Sequence, residues 1–195
     1  MVVGLTGRYC AGKDTVARLF AARGYRVLDV DALGHEALTD RAEEVRAAFG
    51  PSVLRPDGTV DRRTLGRLVF GDPRALSRLE GIIHPVMVER VKAFLRDNPG
   101  DVLVNAAVLH RMGLAALCGA VVCVTAPLLL QLCRAVRRDG ITVREALARI
   151  SSQGDVGAQL NGPAVDTYTV RNRGTSRSLE RRVERILRRM KGGEG

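Results

Sequence analysis

Val2-Val3-Gly4-Leu5-Thr6-Gly7-Arg8-Tyr9-Cys10-Ala11-Gly12-Lys13-Asp14-Thr15 is the stretch that decides the fold. Val2 to Thr6 is a short apolar run bounded by glycine, and Thr15 to Arg23 carries Val16, Leu19 and Phe20 at helical spacing. A strand, a tight loop and a helix therefore follow one another. Gly7 to Asp14 matches G-x-x-x-x-G-K-[ST] at every position but the last. Glycines at 7 and 12 let the backbone curl so that several N–H groups turn inward, and the helix beginning at Lys13 adds the positive end of its dipole. The lysine reaches phosphate oxygens. Asp14 stands where a hydroxyl would ligate Mg²⁺; a carboxylate can hold the ion through water, and Thr15, one residue on, points about 100° away around the helix.

Outward from the loop, Arg26 to Asp31 reads as a second strand, Asp101 to Leu109 as a third, Ala120 to Thr125 as a fourth and Thr167 to Val170 as a short fifth. All but the last are nearly continuous apolar runs, the pattern of strands covered on both faces. Helical stretches separate them: Asp40 to Phe49, Thr64 to Phe70, Pro73 to Asn98, Leu128 to Arg138 and Val143 to Ser152, with a last helix from Ser178 to Lys191. Strands alternating with helices predict an α/β fold with an open parallel sheet and right-handed crossovers. The longest gap between strands holds helices and a turn at Pro56-Asp57-Gly58, a natural place for a second substrate to bind. The segment from Arg134 to Gln153 lies outside the strand pattern and is dense in arginine, as a mobile cover would be.

The whole chain is 195 residues, 46% hydrophobic and 27% charged, the profile of one soluble folded unit that needs neither disulfide nor metal to hold its core. No apolar run reaches the roughly 20 residues that span a bilayer. The first residues run straight into the strand, so no cleaved targeting peptide is expected. Four cysteines without CxxC spacing predict free thiols and a cytoplasmic setting. Thirty-one basic against 21 acidic residues give +10, which suits a polyanionic ligand. Only three of the bases are lysines, which makes Lys13 worth inspecting; a genome-wide codon bias accounts for the arginine excess.

Leu28-Asp29-Val30-Asp31 places two acids at the end of the second strand, where ligands collect in such sheets. On a strand they share a face, and one carboxylate can accept a proton from an acceptor hydroxyl. Spacing alone supports equally the view that they are polar residues opening a loop. Arg134, Arg137, Arg138 and Arg149 on the cover match phosphate oxygens as forks or form a solvated basic face. His35, His84 and His110 are too scattered for a metal centre.

Taken together, the residues resemble the dephospho-coenzyme A kinase family over nearly the whole chain. The resemblance rests on Gly4-Leu5-Thr6-Gly7 with Gly12-Lys13, Asp29-Val30-Asp31 with His35-Glu36, Gly58-Thr59-Val60-Asp61-Arg62-Arg63-Thr64-Leu65 leading to Phe70, and Leu79 to Pro85. It continues through Gln131 to Arg134, Arg138-Asp139-Gly140, Arg149 to Gln153, and Asp166 with Asn172 and Gly174. It implies a three-layer phosphate-loop kinase with a five-stranded parallel sheet, expected here as one domain. The core would take about 1–32, 100–130 and 164–195, a helical acceptor-binding insertion about 33–99, and a lid about 131–160. It further implies that Lys13 and the loop Cys10, Ala11, Gly12, Asp14 and Thr15 cradle ATP; Mg²⁺ itself is expected at Asp14 or Thr15 from the residues alone. Asp31 would be the base on the ribose 3′-hydroxyl of dephospho-coenzyme A, Arg62 and His84 would hold that acceptor, Arg134 and Arg138 would belong to the lid, and Asn172 would lie near the adenine.

The chain departs from the family where G-G-I-G-S-G-K-[ST] becomes Gly7-Arg8-Tyr9-Cys10-Ala11-Gly12-Lys13-Asp14, and where P-L-L-F-E becomes Ala107-Val108-Leu109-His110-Arg111. Another small-molecule kinase on the same core, or a weakly catalytic relative with a basic binding surface, are the alternatives. Nucleic acid is disfavoured as a partner because aromatics are 4% of residues and tryptophan is missing. A monomer or weak homo-oligomer, with a small-molecule acceptor and no membrane, is expected.

Overall fold

The computed structural model describes residues 1–69, 71–152 and 165–192. Its five strands are β1 (Val2–Gly7), β2 (Arg26–Asp29), β3 (Val102–Asn105), β4 (Ala120–Thr125) and β5 (Asp166–Arg171), in the sheet order β2-β3-β1-β4-β5. β1 runs parallel to β3 and β4, and β4 parallel to β5, with Leu5 opposite Asn105 on one side and Val122 on the other. The apolar runs of β1, β3 and β4 are buried because they lie inside the sheet, whereas β2, at one edge, buries only Leu28.

Two compact units make up the chain: Met1–Leu28 with Asn98–Gly195, and Asp29–Asp97. In the first, α1 (Lys13–Ala21) and α8 (Ser176–Gly192) pack on one face of the sheet. α8 contributes Leu179, Val183, Ile186, Leu187 and Met190, the positions its periodicity predicts, against Val3, Leu5, Val122 and the α1 residues Val16 and Phe20. Phe20 meets Tyr25 edge to face at 5.0 Å between centroids. On the other face, Leu109, Cys118 and Val121 close around Gly4. This unit also carries α6 (Leu128–Asp139) and α7 (Val143–Ser152).

The second unit is helical: α2 (Val30–Asp40), α3 (Ala42–Phe49), α4 (Arg62–Val69) and α5 (Pro73–Asp97). Val45, Val53, Val60, Leu65, Val69 and Leu79 form its own core. The predicted turn is present: Gly58 has φ +80°, and Asp57 Oδ1 accepts from Thr59 N–H at 2.9 Å and Thr59 Oγ1 at 2.6 Å.

Two expected strand boundaries are corrected. The second strand stops at Asp29, and Val30-Asp31 begins α2, a helix missing from the expected set, whose stretch Asp40 to Phe49 corresponds to α3. Asp29 Oδ1 accepts from Asp31 N–H at 3.0 Å and Ala32 N–H at 3.4 Å, so it is the N-cap of α2. The two acids therefore do not share a strand face. The third strand ends at Asn105; Ala106 and Leu109 are fully buried, so a covered turn carries the same apolar run as a strand. Phe70, Gln153 and the 153–160 part of the expected lid lie outside the described residues.

Candidate functional site

The loop between β1 and α1 is shaped by positions that only certain residues accept. Gly7 has φ +156°, and a Cβ there would sit 2.5 Å from Val124 O in the adjacent strand. Gly12, the N-cap of α1, has φ +100°, and a Cβ there would lie 2.3 Å from Asn172 Nδ2. Cys10, where the resembled family has glycine, takes φ +57°, the sole positive φ outside glycine among the described residues. Helix geometry leaves the N–H groups of the first turn of α1 without intrahelical partners, with the positive dipole end beside them. One loop N–H is spent locally: Ala11 N–H donates to Arg8 O at 3.0 Å.

Side chains more than a hundred residues away fasten this loop from outside. Asn172, which follows β5 and is 5% exposed, donates through Nδ2 to Ala11 O at 2.9 Å. Arg134 of α6 donates through Nη1 to Cys10 O at 3.2 Å and Ala11 O at 3.3 Å, and through Nη2 to Asn172 Oδ1 at 3.2 Å. Cys10, Ala11, Gly12, Arg134 and Asn172 are thus brought together. Their contacts are structural: both side chains satisfy loop carbonyls and so fix the direction of the loop's backbone.

α6 and α7 meet the loop through Tyr9. The Tyr9 hydroxyl donates to Asp139 Oδ2 and accepts from Arg149 Nη1 at 3.1 Å. Arg138 donates to Asp139 through Nε at 2.8 Å and Nη2 at 3.2 Å. Tyr9, Leu132 and Ile141 pack on a small buried cluster of Cys10, Ala135 and Ala146. Burial pushes the Cys10 thiol up, against the pull of Arg138 and Arg134. α6 ends on Gly140 with φ +64°, and α7 opens on a capping box in which Thr142 and Glu145 bond each other's N–H groups at 2.8 and 3.2 Å.

In the helical unit, Asp31 is the exposed second residue of α2 and its N–H is held by Asp29. Arg62 is exposed at the start of α4, which Asp61 caps by accepting from Arg63 N–H at 3.0 Å and Thr64 N–H at 3.2 Å. His84 is half-buried in α5, just before Pro85, whose missing N–H leaves the Gly81 carbonyl without its helical donor.

For a divalent ion, the described residues hold no group of three or more His, Cys, Asp or Glu that could form an all-protein site. Asp14 offers an exposed carboxylate in the first turn of α1. One such oxygen suits Mg²⁺, which takes its remaining ligands from waters and substrate phosphates. Thr15 Oγ1 accepts from Arg18 Nη2 at 3.4 Å, a cation beside the oxygen that makes it the poorer ligand.

Sequence reasoning missed Tyr9 and Asp139 as contributors, and missed that Asn172 and Arg134 share Ala11 O. No local pattern signals contacts between residues so far apart. In the altered segment after β3, burial depresses the pKa of His110, and its Nε2 is buried without a hydrogen-bond partner among the described residues. Cys118 and Cys123 are buried free thiols, pushed up to about 12 and about 11 by desolvation. Among the described residues no helix is long and apolar enough to cross a membrane.

Comparison with known proteins agrees with this geometry. The profile of the dephospho-CoA kinase family matches residues 1–178. A dephospho-CoA kinase of Anaeromyxobacter dehalogenans is 39% identical over all of this chain and 94% of its own length. One from Geobacter metallireducens is 38% identical over 94% of this chain and 93% of its own. A solved protein of Thermus thermophilus superposes with a TM-score of 0.81 at 32% identity, covering 96% of both chains. A loop that needs glycine at 7 and 12, a lysine opening α1, and matches of this extent lead to one conclusion: the chain belongs to the dephospho-CoA kinase family.

Proposed function

We propose that the protein transfers the γ-phosphoryl group of ATP to the ribose 3′-hydroxyl of dephospho-coenzyme A, giving coenzyme A and ADP. The observation that carries this is the glycine-shaped loop opening α1 at Lys13, in a chain whose close relatives are named for that reaction. The whole chain acts as a single kinase domain, with the helical unit receiving the acceptor and α6 and α7 serving as lid.

In this mechanism Cys10 to Thr15 and the dipole of α1 hold the phosphates, and Lys13 neutralises charge on the β and γ oxygens. Asp31 Oδ accepts the proton of the 3′-hydroxyl as its oxygen bonds to the γ-phosphorus and the bond to the β-phosphate oxygen breaks. Arg138 stabilises the oxygens of the group in flight. Arg62 and His84 orient the acceptor, while Arg134 and Asn172 hold the loop and border the adenine. Asp14 is the protein's carboxylate for Mg²⁺, with Thr15 behind it; when bound, the ion screens the phosphate charge. Near-neutral chemistry with no covalent enzyme intermediate relies on position and charge.

The test is mass-spectrometric detection of coenzyme A after incubation with ATP, Mg²⁺ and dephospho-coenzyme A. Product from the parent with none from Asp31→Asn supports both the reaction and the base. No product from the parent overturns the reading.

A further inference from the structure

The loop residue Tyr9 occupies a place that phosphate binding alone does not require. Its ring lies beside two lid guanidiniums at once, with Arg138 Cζ 5.3 Å and Arg149 Cζ 5.7 Å from the ring centroid. Arg138 comes from the last turn of α6 and Arg149 from the last turn of α7, so one aromatic ring gathers a cation from each lid helix. Its hydroxyl adds two polar ties, to Asp139 and to Arg149. Asp139 in turn fixes the Arg138 guanidinium through two hydrogen bonds and lies 3.9 Å from Arg149. The ring also packs against Cys10, Ala135 and Ala146, which join loop and lid through apolar contact.

Both arginines are about half exposed, and a long exposed guanidinium normally samples many rotamers. A ring face attracts guanidinium planes, and a phenol oxygen with a carboxylate behind it fixes where their forks point. These contacts order the two cations before any phosphate arrives, so less freedom is lost on binding. We propose that Tyr9 is a positioning residue for the reaction, holding Arg138 and Arg149 of the lid at the phosphate loop so that they meet the nucleotide's phosphates already aligned. This deepens the kinase reading above and rests on it, because the arginines act on phosphate only if the loop binds a nucleotide.

The experiment is titration calorimetry with a non-hydrolysable ATP analogue and with AMP, on the parent, Tyr9→Phe, Tyr9→Leu, Arg138→Ala and the Tyr9→Leu/Arg138→Ala double variant. Tyr9→Leu is expected to weaken analogue binding about tenfold and leave AMP affinity within about twofold; Tyr9→Phe, which keeps the ring, recovers most of the loss. Because Tyr9 acts through Arg138, the effect of Arg138→Ala shrinks in the double variant, so that the two losses do not add. Additive losses, or an equal loss for analogue and AMP accompanied by a lower Tm, overturn the proposal and leave Tyr9 as packing only. If the coupling is seen but no coenzyme A forms in the activity assay, Tyr9's role stands and the acceptor assignment falls. A parent that does not bind the analogue overturns both.

Discussion

The sheet unit and the helical unit are held together in different ways. In the sheet unit the phosphate loop is fixed by side chains far away in sequence: Arg134, Arg149, Asp139 and Asn172 all bond residues 9–11. In the helical unit most side-chain bonds are local, as at the caps Asp29, Asp61 and Asp72 and the i,i+3 pairs Arg46–Glu43 and Lys92–Glu89. Arg90 is an exception, forking to Glu36 and Asp40 to tie α5 to α2. The loop that opens α1 therefore depends on tertiary fastening, whereas the helices of the second unit set their own ends.

Substitutions can break that contrast, and they differ widely in size. The largest effect is expected at Asp31→Asn, which should lower kcat by about 10²–10⁴ with an unchanged circular dichroism spectrum. Gly12→Ala should follow, since it adds both a positive-φ strain and a Cβ 2.3 Å from Asn172 Nδ2. A cost of about 2 kcal/mol or more is expected, read as a lower Tm and weakened ATP binding. Asn172→Ala removes the donor to Ala11 O and the acceptor for Arg134, a loss of about 1–3 kcal/mol visible in denaturant unfolding.

Smaller effects sharpen the picture. Burial lowers the His110 pKa, so the unfolded chain binds its proton first. Stability from this group is therefore full above the unfolded value near 6.5 and lost as pH falls through the lower folded one. His110→Phe should flatten that acid slope and add about 1 kcal/mol at pH 6, because it removes a buried nitrogen that has no partner among the described residues. The smallest effect is expected at Asp61→Asn. The Thr64 hydroxyl, then its N–H, hold this carboxyl below the usual range, so its contribution is present above pH ~4 and fades as pH falls further. The check is a lower Tm at pH 7 with unchanged ATP affinity.

How much of this the sequence could disclose depends on the range of the signal. Gly7, Gly12 and Lys13 are close neighbours with fixed spacing, so the loop was legible, and β4 fell on its predicted residues. Asp29-Val30-Asp31 alternates as a strand does, yet Asp29 caps a helix, and a cap and a strand end look alike over three residues. The run after Asn105 reads as strand because a buried turn needs apolar residues as much as a strand does. The convergence of Asn172, Arg134 and Ala11, and the gathering of Arg138 and Arg149 on Tyr9, leave no local trace. Resemblance puts Asn172 near the adenine and Arg134 in the lid; their bonds to the loop's carbonyls emerge only in three dimensions.

The proposed division of labour gives the nucleotide to the sheet unit and the acceptor to the helical unit. The measurement that tests it most directly is steady-state kinetics with ATP and dephospho-coenzyme A varied in turn, on the parent, Asn172→Ala and His84→Ala. Asn172→Ala is expected to raise the KM for ATP several-fold and leave that for dephospho-coenzyme A within about twofold, while His84→Ala does the reverse. Equal changes in both constants for either variant would contradict it.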